Sequence, residues 1–479
     1  MKTKLSLRQY FNIFALISVC LCANKVNAYD FEIDGIYYKY LSPGKVAVTS
    51  KDRPGVYYGC SYSGEVIIPE TIEIGNSTYT VTEIDERTFW ACDLDSVVMP
   101  NTIVTIGENA FSDCSLKEIV LPTSLEIIKV NAFRDSELEK INFPVSLRGI
   151  GEYAFWGCYN LKSLLIPAGL TKIRDNAFGG CINLESIEVE EGNTKYSSYD
   201  GVFYNSDLTE LITFPAGKKS VDFPSSLKSI SAYGFSENQF IKTIILPESV
   251  ERISEYAFAR CKALETVVFP ETLNSICESA FTSCKSLKTV YLPENLEKIE
   301  KYVFQGCQGL EEINLPSSLK EIGRFAFSNC ISLSSITFPP SVETLEEGAF
   351  SACPYLEEIV FEGSVNYIGK QCFALDYNIS SVMCYSSLPS GAEGDIFDDD
   401  IYKKATLYIP DGTLPDFASQ RPWSRFFHIN FIDQSGVKEI LNDTISNAIY
   451  DLNGVRIKDS GNIKNGIYIV NGKKVVIRN

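Results

Sequence analysis

The sequence AFTSCKSLKTVYLPENLEKIEKYVF, residues 280–304, contains one complete period of a repeat and ends where the next period begins. The stretches AFARCKALETVVFPETLNSICESAF at 257–281 and VFQGCQGLEEINLPSSLKEIGRFAF at 303–327 align with it without gaps. The proline of this unit recurs every 22 or 23 residues, apart from one longer interval, at Pro100, Pro122, Pro144, Pro167, Pro224, Pro247, Pro270, Pro293, Pro316 and Pro339. A fixed period of this length predicts stacked repeats rather than several separate globular domains.

Each unit has the form L-x-x-I-x-L-P-x-S-L-x-x-I-x-x-x-A-F-x-x-C, and its first part is typical of the strand of a leucine-rich repeat. In the quoted unit, Leu287, Val290 and Leu292 are expected to point inward. One such strand is too short to bury its apolar side alone, so neighbouring strands must stack as a parallel sheet. We therefore predict a leucine-rich repeat solenoid of about 12 coils, with short helical or irregular outer segments, a β-rich N-terminal cap and a small β C-terminal module.

A phenylalanine occupies the same position of twelve units, and we expect these rings to stack as a buried column on the side away from the strands. The column contains Phe89, Phe111, Phe133, Phe155, Phe178, Phe235, Phe258, Phe281, Phe304, Phe327, Phe350 and Phe373. The alanine before the ring indicates that the backbone of the next coil lies close. A small polar residue two positions after each proline is interpreted as a structural ladder that satisfies backbone amides in the turn.

Nine cysteines follow these phenylalanines by three residues, at Cys92, Cys114, Cys158, Cys181, Cys261, Cys284, Cys307, Cys330 and Cys353. Adjacent coils would bring equivalent Cα atoms within disulfide range, and exported proteins often pair their cysteines. Nine is an odd number, however, and Ser136, Asn238 and Asp376 occupy the same slot in other units. We therefore expect the slot to require a small buried side chain, with disulfide pairing as the alternative.

Composition divides the chain into five segments. Lys2, Lys4 and Arg8 precede an apolar run, and small residues stand before Tyr29, which predicts a signal peptide. A lipoprotein modified at Cys20 or Cys22 is the alternative. The segments are a signal peptide at 1–28, an N-terminal β cap at 29–76, leucine-rich repeats at 77–383 with a hairpin insertion near 190–220, a C-terminal cap at 384–433 and a small β tail at 434–479. No later apolar stretch is long enough to span a bilayer, so no transmembrane segment is expected in the mature chain.

The charge of the chain argues against one class of partner. Its formal net charge is −18, whereas binding a phosphate backbone requires clustered lysine and arginine, so we expect no nucleic acid partner. The tail differs from the body, because residues 434–479 contain seven basic and four acidic residues. This asymmetry indicates a separate module, which could serve in sorting or anchoring.

The sequence has no pattern that indicates catalysis, a cofactor or a metal. The single histidine, His428, follows two phenylalanines and is interpreted as a packed or surface residue. There is no CxxC motif. The acidic run GDIFDDD at 394–400 lacks the spacing of an EF-hand and is interpreted as a solvated loop rather than a calcium site. We therefore expect a protein that is not an enzyme, with no cofactor and no metal.

The candidate binding surface is the outward side of the predicted sheet. Ile245, Val268 and Tyr291 occupy the middle outward position of three successive strands, and Val98, Val120 and Leu165 occupy it in earlier ones. Glu311 and Glu312 lie beside the first three and would favour a partner with basic patches. The proposed partner-binding residues are Ile245, Val268, Tyr291, Glu311 and Glu312. The alternative is that β-formers suit a sheet surface without any binding role.

Three motifs together resemble the BspA-like leucine-rich repeat proteins, which are surface proteins of anaerobic Gram-negative bacteria living with animal hosts. They are the unit IPxSLxxIGxxAFxxCxxL, the excursion NTKYSSYDGVFY at 193–204 and a closing segment that contains LYIPDG and WSRF. The resemblance implies adhesion to host matrix proteins or to other microbes. The tail, with IYDLNGVRIKD and NGIYIVNGKKVVI, resembles a short type 9 secretion sorting domain.

From these residues and this resemblance we expect an exported protein at the cell surface or in the extracellular space of a Gram-negative bacterium. It would bind a protein or glycan ligand, for instance a host matrix protein. One alternative is a structural surface component without a foreign ligand, which would associate with itself. A more distant alternative is a glycan-active enzyme.

Overall fold

The computed structural model of the chain describes residues 28–51, 60–386 and 391–432, and three further strands between 449 and 477. The predicted signal peptide, apart from Ala28, lies outside these residues. The chain divides into two compact units, one up to Phe155 and one from Trp156 onward.

Unit 1 begins with an antiparallel arrangement and continues with repeats. Its strands are β1 (Phe31–Ile33), β2 (Ile36–Ser42), β3 (Lys45–Thr49), β4 (Gly64–Ile67), β5 (Thr71–Ile74), β6 (Ser77–Ile84), β7 (Leu94–Val98), β8 (Thr105–Ile106), β9 (Glu118–Ile119), β10 (Ile127–Ile128), β11 (Lys140–Ile141) and β12 (Gly149–Ile150). Strands β1, β2 and β3 are antiparallel neighbours, and β3 runs parallel to β6. Because Val46, Ala47 and Val48 are fully buried, this meander closes the end of the first coil.

The repeats of unit 1 form two parallel ladders. Strands β4 and β7 pair in one ladder, as do β9 and β11. The second ladder consists of β6, β8, β10 and β12. Its two-residue strands end at Ile106, Ile128 and Ile150, which are buried. The sequence pattern predicted only the first ladder, because a two-residue strand is too short to show an alternating pattern.

Unit 2 repeats this arrangement over more coils. Its elements are β13 (Ser163–Ile166), β14 (Lys172–Ile173), β15 (Ser186–Val189), β16 (Tyr196–Tyr199), β17 (Val202–Asn205), β18 (Glu210–Thr213), β19 (Ser229–Ile230), β20 (Thr243–Ile245), β21 (Arg252–Ile253), β22 (Thr266–Val268), β23 (Ser275–Ile276), β24 (Thr289–Tyr291), β25 (Lys298–Ile299), β26 (Glu312–Asn314), β27 (Glu321–Ile322), β28 (Ser335–Phe338), β29 (Thr344–Leu345), β30 (Glu358–Phe361), β31 (Tyr367–Ile368), β32 (Ser381–Cys384), α1 (Asp399–Lys404), β33 (Thr406–Pro410), α2 (Leu414–Ser419), a 3₁₀ helix (Trp423–Arg425), β34 (His428–Ile432), β35 (Ile449–Tyr450), β36 (Gly466–Val470) and β37 (Lys473–Ile477).

The first ladder of unit 2 contains β20–β22–β24–β26 and, further along, β28–β30–β32–β33–β34. The second ladder contains β19–β21–β23 and then β25–β27–β29–β31. Strands β35, β36 and β37 form a separate antiparallel sheet. The chain is thus a parallel-strand solenoid of about 15 turns. This exceeds the twelve phenylalanine units because β4, β33 and β34 add parallel strands at the flanks.

The interruption of the period is an antiparallel excursion. Strands β16 and β17 form a hairpin in which Tyr196 pairs with Asn205, and β17 continues antiparallel into β18. Strand β18 then pairs parallel with β19, so the chain returns to the second ladder. Val202, Phe203 and Tyr204 are fully buried, which anchors the excursion in the core. This hairpin lies within residues 190–220, where the sequence predicts one.

The phenylalanine column is confirmed within each unit. Successive rings of unit 1, from Phe89 to Phe155, have centroids 5.0 to 5.1 Å apart. In unit 2 the spacing from Phe235 to Phe397 ranges from 4.9 to 5.7 Å. The amide of Phe258 donates to the carbonyl of Ala280 in the next coil at 2.8 Å. This close backbone approach accounts for the alanine that precedes most of the rings.

The small polar residue after each proline forms a ladder, but its hydrogen bonds differ from those expected. Ser124 Oγ donates to the Ile103 carbonyl at 2.6 Å, and Ser249 Oγ donates to the Leu227 carbonyl at 2.6 Å. At these positions the side chain satisfies a carbonyl of the preceding coil, rather than an amide within its own turn, whereas Thr102 Oγ1 and Ser341 Oγ have no hydrogen-bond partner in the described part of the chain. The reason is the stacking distance, which brings that carbonyl within reach of a short side chain.

The cysteine slot contains free, buried thiols in eight of the nine units, as predicted for a small buried side chain. Cys92 is the exception, because it forms a disulfide with Cys60. Cys92 is buried, as the slot requires, but its disulfide partner was not predicted, since Cys60 lies outside the repeat and gave no periodic signal. The disulfide ties the segment before β4 to the first phenylalanine unit.

The C-terminal cap closes the last coils with aromatic residues. Trp423 and Phe426 are 1% and 6% exposed, as expected for closing residues, whereas Phe427 is 74% exposed and does not contribute. Phe397 continues the phenylalanine column at 5.2 Å from Phe373. The cap therefore uses an additional ring in the column, beyond the twelve that the sequence predicts.

Candidate partner-binding face

Alternate side chains of each strand in the first ladder point into the core and out of the sheet. In unit 2, Val267 and Val290 point inward and are buried. The register pairs Ile245 with Val268 and Val268 with Tyr291 on the outward side. The structure therefore brings together the three apolar residues that the sequence proposes for partner binding.

These three side chains form a hydrophobic cluster on the outer face of the sheet. Val268 is 6% exposed and Tyr291 is 7% exposed, while Ile245 is partly buried. Asn314, which pairs with Tyr291 in the next strand, is exposed. Two of the three apolar residues thus have little accessible surface, although the strand directs them away from the core.

Acidic residues flank this cluster. Glu311 and Glu312 are exposed, and neither takes part in an ion pair within the described part of the chain. Glu265 differs, because Lys288 Nζ lies at 3.0 Å and Lys242 Nζ at 3.1 Å from its carboxylate. Hydrogen bonds from Lys288 and Lys242 lower the pKa of the Glu265 carboxyl. The unbalanced negative charge beside the cluster therefore comes from Glu311 and Glu312.

Unit 1 has an apolar row on its own outward face that is accessible. Ile67, Val98 and Val120 are 61%, 49% and 82% exposed. Ile67 pairs with Val98 across β4 and β7, and Val120 directly follows β9. We call these three residues the unit 1 stripe. It is a run of aliphatic side chains on neighbouring strands with solvent access.

A cleft of about 420 Å³ lies on this face of unit 1. Its lining includes Ser96, Val98, Glu118, Val120, Lys140 and Asn142. Glu118 and Lys140 are paired across β9 and β11, so opposite charges border the aliphatic side chains. An apolar centre with a polar border is the composition of a protein contact surface.

Sequence reasoning included Val98 and Val120 in the outward row but missed Ile67. The residues VIIP at 66–69 repeat the strand-and-proline pattern of VVMP at 97–100. This match is the signal that identifies Ile67 as a member of the row. The period did not indicate it because 31 residues separate Pro69 from Pro100, instead of 22 or 23.

The other residues considered as functional candidates, His428 and the acidic run at 394–400, lie in the C-terminal cap. His428 is exposed on β34. Arg425 pairs with Asp395 and Asp399, each at 2.6 Å, and Asp398 accepts a hydrogen bond from the Leu375 amide at 2.7 Å. The acidic side chains of the run at 394–400 are largely exposed, as expected for a solvated segment, and Asp395 and Asp399 in addition form ion pairs with Arg425.

Neither a metal site nor a membrane-crossing helix occurs among the described residues. They contain no group of three or more histidine, cysteine, aspartate or glutamate side chains arranged to hold a metal ion. No helix in the described part of the chain combines the length and the apolar character needed to cross a membrane.

Comparison with known proteins identifies the repeat. A family model described as the BspA type leucine rich repeat region matches in six copies, over residues 82–212, 216–310 and 276–399. A leucine-rich repeat protein from Eubacterium ventriosum is 24% identical, with a TM-score of 0.60 over 74% of this chain and 94% of that one. A leucine-rich repeat protein from Bacteroides ovatus is 26% identical, with a TM-score of 0.50 over 85% of this chain and 100% of that one. No curated protein sequence matches the chain.

Proposed function

Because the chain belongs to the family of BspA-type leucine-rich repeat proteins, we propose that it is an exported surface protein that binds a protein partner and catalyses no reaction. The family consists of bacterial surface proteins, and leucine-rich repeat solenoids are normally not enzymes. The predicted signal peptide supports export. The resemblance of the tail to a type 9 sorting domain supports a location at the surface of a Gram-negative bacterium.

The observation that carries this proposal is the exposure of the unit 1 stripe. Val120 is 82% exposed and Ile67 is 61% exposed, although each could gain roughly 1.5–3 kcal/mol from burial. Contiguous exposed apolar surface of this kind commonly marks a site of protein interaction. A partner that covers the stripe would recover this free energy.

The chemistry of the face favours a protein over a glycan. The lining of the cleft contains no aromatic residue, whereas sugars commonly stack on aromatic rings. The net charge of −18 favours a partner with basic surface, because long-range attraction raises the association rate. A host matrix protein with basic regions satisfies both conditions. Ile245, Val268, Tyr291, Glu311 and Glu312 remain a second proposed contact surface.

Binding to immobilised collagen, laminin, fibronectin and fibrinogen tests this proposal, with interferometry as the readout. In a Val98→Glu/Val120→Glu variant, two charges would have to be buried in the interface, so we expect affinity to fall at least about tenfold, equivalent to about 1.4 kcal/mol. Val145→Glu is the matched control, because Val145 is 74% exposed but belongs to a turn outside the sheet. Its affinity should match that of the unmodified protein.

Other outcomes distinguish the alternatives. Equal binding by both variants removes the unit 1 stripe as the contact surface. Binding to a glycan array but to none of the four proteins favours a glycan ligand. Concentration-dependent self-association without a foreign ligand favours a structural surface component, and release of reducing sugar from a polysaccharide panel favours a glycan-active enzyme.

A further inference from the structure

One position of the repeat has a left-handed backbone in all twelve phenylalanine units. It lies two residues before each ring of the column, and its φ ranges from 53° to 62°. Asparagine tolerates this conformation, and Asn109, Asn131 and Asn176 occupy the position in three units. Bulky residues rarely adopt it, and strained positions of this kind cluster at functional sites. In unit 2, however, four of five successive phenylalanine units place an aromatic residue there, namely Tyr233, Tyr256, Tyr302 and Phe325.

The four rings form two stacks. Tyr233 and Tyr256 have centroids 5.0 Å apart and planes that differ by 2°, while Tyr302 and Phe325 have centroids 5.6 Å apart and planes that differ by 9°. The Phe325 ring leans over the next coil, because a Cβ added at Gly348 would collide with it. All four rings are only partly buried. Each therefore keeps some surface that a ligand can contact.

Ser279 separates the two stacks. Its backbone follows the row, with a φ of 58° and an amide that donates to the Lys301 carbonyl at 3.1 Å, so only a ring is missing. Ser279 is 3% exposed, as expected where the Tyr256 ring leans over the next coil. Two coil spacings, about 9.6 Å, separate the Tyr256 and Tyr302 rings, whereas neighbouring rings of the row are 5.0 to 5.6 Å apart. The gap has room for one further ring between the two tyrosine faces.

Charged side chains border this gap. Lys301 Nζ forms an ion pair with Glu278 at 2.9 Å, and the two side chains are 51% and 32% exposed. The hydrogen bond to Glu278 raises the pKa of Lys301, with smaller contributions from Tyr302 and Tyr256. The ammonium group therefore lies near both tyrosines. A matching ligand has two apolar faces and a polar edge.

A pyranose whose hydroxyl groups are all equatorial has this chemistry. Both of its faces carry only C–H groups, which stack on the electron-rich faces of aromatic rings. Its hydroxyl groups project in the plane of the ring, toward the charged border. A sugar with an axial hydroxyl would bury that group against a tyrosine face without a hydrogen-bond partner. A flat aromatic side chain would fit the gap but would offer no hydroxyl groups to the ion pair.

We infer that Tyr256 and Tyr302 form a glycan subsite that holds one all-equatorial pyranose ring, such as β-linked glucose, between their faces. Glu278 and Lys301 bind its hydroxyl groups. The subsite gives a role to tyrosines at a backbone position that suits asparagine better. It does not rest on the protein contact proposed for the unit 1 stripe.

Isothermal titration calorimetry of the full chain with cellotriose and with β-1,4-mannotriose tests the inference. The two sugars differ only at C2, where mannose has an axial hydroxyl. We expect cellotriose to bind, and mannotriose to bind at least about tenfold more weakly, because the axial hydroxyl loses its water. Equal affinity for both sugars, or no binding of cellotriose at millimolar concentration, would overturn the inference. So would binding of free indole but not of cellotriose, which would indicate an aromatic side chain of a protein partner.

Two variants test the gap itself. Ser279→Tyr supplies the missing ring, and the melting temperature should not fall because tyrosine occupies this position in the coils on either side. Tyr302→Asn removes one face. Each should weaken cellotriose binding at least about tenfold.

Tyr153→Asn is the matched control for these variants. Tyr153 has the same backbone conformation, with a φ of 55°, but belongs to unit 1. Its replacement should leave cellotriose affinity unchanged. Full affinity in the folded Ser279→Tyr variant, or an equal loss in all three variants, would contradict binding in the gap.

Discussion

The Sγ atom of Cys284 donates a hydrogen bond to the carbonyl oxygen of Phe258, one coil earlier, at 3.0 Å. The same bond joins Cys261 to Phe235, Cys307 to Phe281, Cys330 to Phe304 and Cys353 to Phe327, at 3.1 to 3.3 Å. A thiol is small enough for this buried slot and gives the carbonyl a second donor, since Phe258 O also accepts from the Cys261 amide at 3.3 Å. The slot therefore requires a small side chain with a polar atom.

We predict that Cys284→Ala lowers the free energy of unfolding by about 0.5–1.5 kcal/mol, because the buried Phe258 carbonyl loses one of its two donors and keeps the Cys261 amide. Urea unfolding measures the change. Cys277→Ala is the matched control, since Cys277 lies in the same coil. Its Sγ contacts Ser275 Oγ at 3.6 Å and does not donate a hydrogen bond to a buried carbonyl. An equal loss in both variants would mean that the effect is one of volume alone.

Thiol labelling checks the state of the cysteines. Burial raises the pKa of the Cys181, Cys261, Cys307, Cys330 and Cys353 thiols well above the ordinary value, so they should not react with iodoacetamide in the folded protein at pH 8. In denaturant without reductant they should all be labelled. Cys60 and Cys92 should stay unlabelled until a reductant is added. Unlabelled ladder cysteines in denaturant would indicate disulfides between coils.

Phe281→Ala should lower the free energy of unfolding by about 3–5 kcal/mol, because it leaves a cavity in the middle of the ring column. Phe281 is fully buried and stacks on Phe258 at 4.9 Å and on Phe304 at 5.6 Å. Phe240→Ala is the control, since Phe240 is 42% exposed and its removal should cost below about 1 kcal/mol. A Phe281→Ala variant that melts with the unmodified protein would contradict a packed column.

We predict that Asp376 makes the free energy of unfolding depend on pH. It fills the cysteine slot of its unit, its Oδ1 accepts from the Cys353 amide at 2.5 Å, and its Oδ2 has no hydrogen-bond partner in the described part of the chain. Desolvation by burial raises its pKa to about 9. The unfolded chain releases this proton near pH 4, so between about pH 4 and 9 the free energy of unfolding falls as pH rises, by about 1.4 kcal/mol per pH unit from this group.

Asp376→Asn should remove this slope and stabilise the protein at pH 8. The slot accepts an amide, because Asn238 occupies it in another unit and donates to the Ala216 and Lys218 carbonyls at 3.1 and 2.9 Å. Melting temperatures from pH 5 to pH 8 measure the effect. If the variant and the unmodified protein lose stability in parallel over this range, Asp376 is already ionised in the folded state.

Most of the architecture could be predicted from the sequence because each repeat position contacts the same position of the next coil. Phe258 stacks on Phe281, and Val267 pairs with Val290. A side chain that packs against the same repeat position of the next coil must be compatible with a copy of itself. The same residue type therefore recurs at that position, and its role can be inferred from the period. The first strand ladder, the ring column and the small buried slot are all determined in this way.

Features that depend on contacts outside the repeat were decided only by the tertiary structure. Cys60 has no periodic partner, so its bond to Cys92 could not be inferred. Val98 and Val268 share one repeat position, yet 49% and 6% of their surfaces are exposed. Strand alternation determines that both point outward, but their exposure depends on what packs around each side chain in the fold, and the repeat position does not specify that.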